Sequence, residues 1–529
     1  MTSRFVRKVR TSSGAVAVQI VTRDGRQVVE IDHVGSAHTD AELELLLRAA
    51  QDRVAPGQEA LDLGPLERRP ARLGDVADWT ERGEQVLPVE PSSGRPRVVA
   101  GGGQVLATSS LLLWEVLTSA YTRLGFDVMG DEAFRALVLA RIIEPTSKAD
   151  TVRVLGEVGA GVPGLNTIYR SLKRCQQRDY RSLLAKACLA HSARTSGRSA
   201  LILYDVTTLH FENAEEDELR RVGMSKEHRV DPQVQVGLLV DPVGFPLEVR
   251  LFEGNKAETT TLIPILTAFQ QRHGVTEMVV VADAGMLSAS NLNALEDAGF
   301  SFIVGSRLTK APYDLADHFE RKGDYFEDGQ ILESTRVMGT GKAARERRIV
   351  YQWSFKRSKR DNRAINAMIE RAEKIATGQA PLKKTRFLKI TGATKELDQA
   401  TIDRARQLAG LKGYVTNLPT AKMPGAEVIS AYHDLWQVEA SFRMTKSDLR
   451  ARPVFHHQRE AIEAHLTIVF AALAISRHLQ AATGASIKKI VQTLRTIRSA
   501  TIEVNGQQLT LEPKIPQHAK DLLDAIKGH

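Results

Sequence analysis

Apolar residues follow two different rhythms along the chain. Between 109 and 195 they recur every three or four positions. Leu111–Leu124, Glu132–Ile142, Ser147–Glu157 and Asn166–Arg174 carry this spacing, which predicts a helical domain over 109–195. From Ala200 onward they condense into short continuous runs: Ala200–Tyr204, Gln233–Val240, Leu247–Phe252, Met278–Ala282 and Phe302–Val304. These predict strands, with helices between them at Thr259–His273 and Ser288–Ala298. Three strands followed by alternating helix and strand predict an α/β sheet of mixed strand order, flanked by helices. The rhythm is lost over 306–410. It resumes with a strand at Gly413–Asn417, a helix over Ala431–Leu449 and long helical material from Arg459 to Gln480.

The ends read differently. Residues 1–55 predict a small β-rich unit, with β-prone runs at Phe5-Val6, Ala15–Thr22 and Val28–Ile31. Turn signals at Ser13-Gly14 and Asp24-Gly25 divide them, and a helix from Asp40 to Arg53 follows. Residues 56–108, rich in Pro, Gly and Arg, predict a linker or arm. Residues 196–305 and 411–482 form two parts of one α/β domain, with 306–410 inserted between them. Residues 483–529 form a C-terminal helical tail that includes a short strand, Thr501–Val504.

Composition narrows the function. At 43% hydrophobic and 26% charged residues over 529 positions, the chain has ample apolar material for a core, which excludes wholesale disorder. Two cysteines, Cys175 and Cys188, exclude a disulfide framework and a clustered zinc site. The apolar stretch Leu466–Ile475 is too short to span a bilayer, and the basic N-terminus leads into no apolar signal core. A cytoplasmic protein with no membrane partner is expected. The net charge of +9 and pI near 9.4 favour a polyanionic partner, DNA or RNA first. Part of the excess lies in the insertion, where residues 341–375 hold eleven basic against four acidic side chains.

Two acids stand at the ends of apolar runs. Asp205 follows Leu201–Tyr204 and Asp283 follows Val279–Ala282. Strand interiors disfavour Asp, and reactive groups of open α/β sheets collect at strand ends. Each alone would serve as a turn or helix cap; together they read as halves of a metal site. Glu439 is the third acid. Tyr432, Glu439 and Lys446 are spaced by seven, and Trp436 and Arg443 lie three before and four after Glu439, so one helix would show all five on one face. A neighbouring stripe of Leu435, Val438, Phe442 and Leu449 would pack against the sheet. The alternative is a salt-bridged amphipathic helix. Three carboxylates suit two Mg²⁺ ions, with Mn²⁺ as substitute, clamping a scissile phosphodiester. The three are expected to converge within a few Å of a common centre. Thr151–Arg174, turning at Gly161–Gly164, resembles a helix-turn-helix. Its second helix offers Thr167, Tyr169, Arg170, Lys173 and Arg174 to a DNA groove, or to solvent on a plain bundle.

Four passages carry a resemblance: LILYDVTTLHFE (201–212), VGLLVDPVGFPLEVRLFEGNKAETTTL (236–262), VVVADAGMLS (279–288) and YHDLWQVEASFRMTKSDLRARPVFHH (432–457). Together they resemble the bacterial insertion-sequence transposases of the DDE type, whose catalytic domain has an RNase-H-like fold shared with retroviral integrases. The resemblance implies Asp205, Asp283 and Glu439 as the catalytic and metal-binding triad. It implies DNA contacts from Tyr432 and Lys446 of a Y-x2-R-x3-E-x6-K signature, with Trp436 and Arg443 beside them. Leu435 stands at the arginine position of that signature, and Arg443 could substitute from the same face. A β-rich insertion between the second Asp and the Glu is also implied, and the gap of 156 residues (439 minus 283) agrees with it. Thr207 and Asn255 enter as supporting residues, Asn255 with Glu258 in a motif after the third strand and Asn255 equally readable as a helix cap. His210 is a minor candidate, and His456 and His457 suit a helix-end or DNA-backbone role. The implied protein binds the inverted-repeat ends of its element, hydrolyses a phosphodiester and transfers the freed 3′-hydroxyl to target DNA. It would do so as a homodimer in a synaptic complex on the bacterial nucleoid. A nuclease on the same fold without strand transfer, or an inactive transposon-derived DNA-binding protein, are the alternatives. No G-x-G-x-x-G follows a first strand, so a Rossmann enzyme fits poorly.

Overall fold

A computed structural model describes residues 2–10, 16–24, 27–37, 50, 104–195, 201–211, 215–223, 231–257, 260–275, 277–286, 288–381, 385–391, 394–452, 454, 456, 458–504 and 507–528. The chain divides into two compact units, Met1–Val98 and Val99–His529. In the first, β1 (Thr2–Arg10), β2 (Val16–Asp24) and β3 (Gln27–Ala37) form an antiparallel meander. The helix expected over Asp40–Arg53 lies, apart from Ala50, outside the described residues, as does the arm up to 103.

The second unit opens with a correction. The last residues of the expected arm form a strand, β4 (Gln104–Ser109). Helices α1 (Leu111–Arg123), α2 (Glu132–Ile143), α3 (Lys148–Glu157), α4 (Leu165–Gln177) and α5 (Tyr180–Thr195) follow. An eight-stranded mixed sheet is then built from β5 (Leu201–His210), β6 (Gln233–Val240), β7 (Pro246–Glu253), β8 (Val279–Ala282), β9 (Ser301–Ser306), β10 (Ile331–Met338), β11 (Arg345–Trp353) and β14 (Leu411–Thr416). Its order is β10-β11-β14-β9-β8-β5-β6-β7; β8 runs parallel to β5 and β9, and the other pairs are antiparallel. β6 is buried along its whole length, as its unbroken apolar run requires of a strand covered on both faces.

Between the strands lie α6 (Leu262–His273) and α7 (Ala289–Asp297). The insertion holds α8 (Ala311–Asp314), α9 (Ala316–Lys322), α10 (Phe355–Ala376), the hairpin β12 (Leu388–Thr391) with β13 (Thr394–Leu397), and α11 (Gln399–Gln407). It is therefore not β-rich. Two of its strands, β10 and β11, extend the main sheet, and its longest element is the 22-residue α10. That helix buries only Ile365, Ala372 and Ile375, too thin a stripe to stand out from its charged residues.

After β14 come α12 (Gly425–His433), α13 (Trp436–Ser447), α14 (Arg459–Thr483) and α15 (Ile487–Arg495). The chain ends in β15 (Ser499–Val504), β16 (Gln507–Leu511) and α16 (Gln517–Gly528). The tail is thus only partly helical: β15 pairs with both β16 and β4. α14 is long and apolar enough to cross a membrane by length and composition, but 89% of its apolar window is buried in the protein. It packs against α2 and α4, so segment 109–195 shares one core with the sheet rather than forming a body of its own.

Candidate active site

The parallel pairing of β5 with β8 sets the site. Leu201, Ile202 and Leu203 pair with Val279, Val280 and Val281, a constant offset of 78. Asp205, within β5, and Asp283, one residue past the end of β8, keep this offset two residues beyond the last pair, so extending the register brings them to neighbouring strand positions, which in a sheet lie about 4.8 Å apart. Asp205 is not at a strand end as expected. β5 runs on to His210, its later half paired with β6, bonded at His210 by the Val454 amide at 3.2 Å and carried by the buried Val206 and Leu209. β8 ends at Ala282, so the β5 edge beside Asp205 opens where Asp283 emerges.

The alternation of β5 decides which face these acids share. Tyr204 points to the α6 side, its hydroxyl 2.7 Å from Thr261 Oγ1 at the start of that helix. Thr207 and Leu209 point to the opposite side, where they line a small void with Phe442 and Thr445 of α13 and Leu466 and Phe470 of α14. Asp205 has the parity of Thr207 and so faces α13. Glu439 lies one turn before Phe442 on that helix and is exposed. The three acids therefore occupy one face of the sheet, with α13 laid across β5 and β6.

The helix bearing Glu439 is shorter than the expected Ala431–Leu449. α12 and α13 meet at Asp434 and Leu435, where the amide of Leu435 bonds the Tyr432 carbonyl and that of Val438 bonds the Leu435 carbonyl, the tighter i→i+3 pattern of a 3₁₀ turn. Leu435, Val438, Phe442 and Leu449 are all buried as an apolar stripe. The break turns Tyr432 away from the face of Glu439, Arg443 and Lys446. Tyr432 is 6% exposed, and its hydroxyl donates to Asp283 Oδ1 at 3.0 Å. Burial first, then the Asp283 charge, raises its pKa, which keeps it a proton donor in that bond. Gly305 of β9 makes room: a Cβ there would stand 2.6 Å from the Tyr432 oxygen. Tyr432 is thus turned inward onto Asp283 rather than outward with Arg443 and Lys446, which corrects its reading as a DNA contact. Trp436 is 56% exposed and Arg443 is exposed, while Lys446 is half-buried.

The expected convergence is not met. Among the described residues no group of three or more His, Cys, Asp or Glu stands close enough together to hold a metal ion. Three like charges on one face repel, and the hydrogen bond from Tyr432 ties Asp283 to α12. The donor set itself fits a hard divalent cation: oxygen ligands only, two of them just beyond the paired segment of β5 and β8.

One residue near the acids escaped the sequence. Lys412 of β14 holds its ammonium 4.4 Å from the centre of the Tyr432 ring. Burial, with help from Arg357 of α10, lowers its pKa, while Asp283 and Glu439 pull it back up. A lysine in a strand has no sequence signature of its own; only the fold brings it to the acids.

The chain matches the family model of the transposase DDE domain over residues 196–475, more than half of its length. The chain belongs to the DDE transposase family. A cryo-EM structure of the piggyBac transposase synaptic complex with hairpin DNA is also similar, at 10% identity and a TM-score of 0.36, covering 71% of this chain and 70% of that one. No curated protein sequence matches the chain.

Elsewhere in the transposase, Tyr169, Arg170 and Lys173 stand exposed on α4, and Thr167 is half-buried. Among the described residues Arg170 makes only local bonds, to the Asn166 carbonyl at 3.3 Å and Thr167 Oγ1 at 3.4 Å. Arg174 does not belong with them. Its guanidinium is 2.8 Å from Asp131, whose side chain is 2% exposed, so it serves the core and is corrected as a DNA contact. Thr207 lies in the packing layer beneath α13. Asn255 is exposed in the turn after β7, and the residue that precedes α6 is Thr261, so Asn255 does not cap that helix. Glu258 and His457 lie outside the described residues. His456 stands 3.1 Å from the Lys148 ammonium and 5.4 Å, ring to ring, from His465.

Proposed function

We propose that this transposase binds the inverted-repeat ends of an insertion sequence, hydrolyses a phosphodiester at each end and joins the freed 3′-hydroxyl to target DNA. The observation that carries the reading is the parallel pairing of β5 with β8, whose register runs on to Asp205 and Asp283, beside the helix of Glu439. The strand order β7-β6-β5-β8-β9, antiparallel then parallel, supports an RNase-H-like catalytic domain. Asp205, Asp283 and Glu439 would hold two Mg²⁺ ions, or Mn²⁺ in their place. Bound there, such ions supply Lewis-acid stabilisation of the oxygens that attack and leave.

The remaining work falls to the chain. Tyr432 fixes the Asp283 carboxylate. Lys412 offsets negative charge where phosphate and carboxylates meet. Trp436 offers an exposed ring to an unstacked base, and Arg443 and Lys446 grip phosphates. The basic face of α10, with Lys356, Lys359, Arg360 and Arg363 exposed, extends that grip. α4 reads the end in the major groove. One chain presents one such helix, so two ends are held by two copies.

Two expected results test this reading. Lys412→Met lowers single-turnover cleavage roughly 10²-fold, the usual loss when one electrostatic stabiliser is removed, with duplex affinity nearly unchanged; an unchanged rate contradicts its role. In binding titrations across several salt concentrations, Lys446→Ala weakens end and scrambled duplexes alike and lowers the salt slope by about one. Arg170→Ala instead erodes the preference for ends. An Arg170 variant with full end preference moves recognition away from α4.

A further inference from the structure

We propose that a cationic pocket beyond the C-terminal end of α13 holds a backbone phosphate of double-stranded DNA, clamping the duplex between α4 and the face that carries Glu439. The inference rests on the reading of this transposase as a DNA-end binder.

The pocket has a volume of about 560 Å³. Arg141 of α2, Lys148 of α3, Arg450, Arg452, His456 and His465 line it. Four of these are permanent cations near neutral pH. Glu144 is the one acid among the described lining residues, and its carboxylate is taken by Arg153 at 2.5 Å and Arg495 at 2.7 Å. Among the described residues Arg141, Lys148 and Arg450 have no carboxylate partner. Arg141 meets only the Arg450 carbonyl and His465 Nδ1, both at 3.5 Å, and Lys148 meets the His456 ring. His465 adds no charge: burial first, then Arg141, holds its pKa well below the ordinary value. Burial pushes Arg141 down to about 10, still a cation. Gathering three cations that have no carboxylate partner among the described residues is costly, and a bound oxyanion relieves that cost. The backbone at Arg450 adds a second sign of a built site. Its φ of 44° is a left-handed conformation that disfavours any side chain, yet an arginine occupies it.

The setting selects DNA over a free anion. Tyr169 of α4 lines the pocket, is 56% exposed and has the Lys148 ammonium 5.8 Å from its ring centre. The helix that reads DNA under the proposal therefore forms one wall. From Glu439 to the end of α13 at Ser447 are eight residues (447 minus 439), about 12 Å at the helical rise, and Arg450 lies three residues further on. A duplex passing from the cut along α13 would clear the end of that helix after about four base pairs, at roughly 3.4 Å each, and meet the pocket there.

The test uses the full chain and a labelled duplex carrying an element end, with affinity measured by anisotropy over a salt series. Lys148→Gln is expected to weaken binding roughly fivefold to tenfold and to lower the salt slope by about one. Lys148→Arg should restore both. Cleavage of saturating duplex should stay within about twofold of wild type, which separates this contact from the acids. Arg141→Gln should behave as Lys148→Gln; if it fails to fold, the Lys148 pair still decides. Wild-type and Lys148→Gln affinities that coincide at every salt overturn the pocket while leaving the transposase reading intact. Stabilisation of the wild type alone by inorganic phosphate, with DNA binding unmoved by Lys148→Gln, assigns the pocket to a free anion and also overturns the proposal. A wild type that binds no duplex sinks both readings.

Discussion

Alanine in place of Asp205, Asp283 or Glu439 lowers DNA cleavage by on the order of 10³-fold or more, and a double replacement costs no more than a single one. The expectation follows from the shared face: three carboxylates acting on one site form a unit, so removing any one disables the whole. Binding should survive, because the predicted grip on DNA lies in Arg443, Lys446, α4 and α10. Folding should survive too, since Asp283 and Glu439 are exposed; Asp283→Ala leaves the buried Tyr432 hydroxyl without its acceptor, at a cost of about 1–3 kcal/mol. Initial rates on a labelled end duplex, read beside anisotropy on the same duplex, check both halves. A Glu439→Ala protein that cuts at the wild-type rate would remove Glu439 from the site.

Asp131→Ala destabilises the protein by about 3–5 kcal/mol. Asp131 caps α2, its Oδ1 accepting from the amide of Phe134 at 3.1 Å. Its Oδ2 accepts from Ser171 at 3.0 Å, Tyr180 at 3.1 Å and Arg174 at 2.8 Å, so the buried carboxylate ties α2 to α4 and α5. Alanine leaves the buried Ser171 and Tyr180 hydroxyls without their acceptor, each an added cost. The same geometry fixes the pH dependence. Burial raises the Asp131 pKa, but the Phe134 amide, Arg174 and Ser171 outweigh it, and the net shift is down from 3.8. A depressed folded pKa means that the contribution is full above 3.8 and is lost as pH falls below it. Thermal melts of both proteins should differ most near neutrality and converge in acid. A constant difference down to the acid limit would show that the carboxylate's charge is not involved. Arg174→Ala should likewise lower stability and leave end preference untouched, unlike Arg170→Ala.

Much of this arrangement is legible in the sequence, because local patterns carry it. The runs at 201–204 and 279–282 become adjacent parallel strands, and the stripe Leu435, Val438, Phe442 and Leu449 is buried. What local pattern lacks is pairing and interruption. β4 becomes a strand only because β15, nearly 400 residues later, pairs with it. The spacing of Tyr432, Glu439 and Lys446 by seven implies one face only if the helix is continuous. No proline or glycine marks the break at Asp434-Leu435, so the turning of Tyr432 toward Asp283 is invisible until the fold is known. Arg174 shows the converse: its sequence spacing matches Arg170, but the buried Asp131 claims it. In the insertion, α10 hides because its charges outnumber the apolar residues that would reveal a helical period.

The central claim is that Asp205, Asp283 and Glu439 work together to cut DNA at element ends. The DNA flanking the gene supplies the inverted repeats for a direct test. A duplex spanning that junction is bound in chelator, Mg²⁺ is added in a single-turnover assay, and the products are mapped at nucleotide resolution. The account predicts a cut at the element boundary that leaves a 3′-hydroxyl, joins to target DNA and vanishes in Glu439→Gln. Cleavage indifferent to the boundary, or equal in wild type and Glu439→Gln, would contradict it.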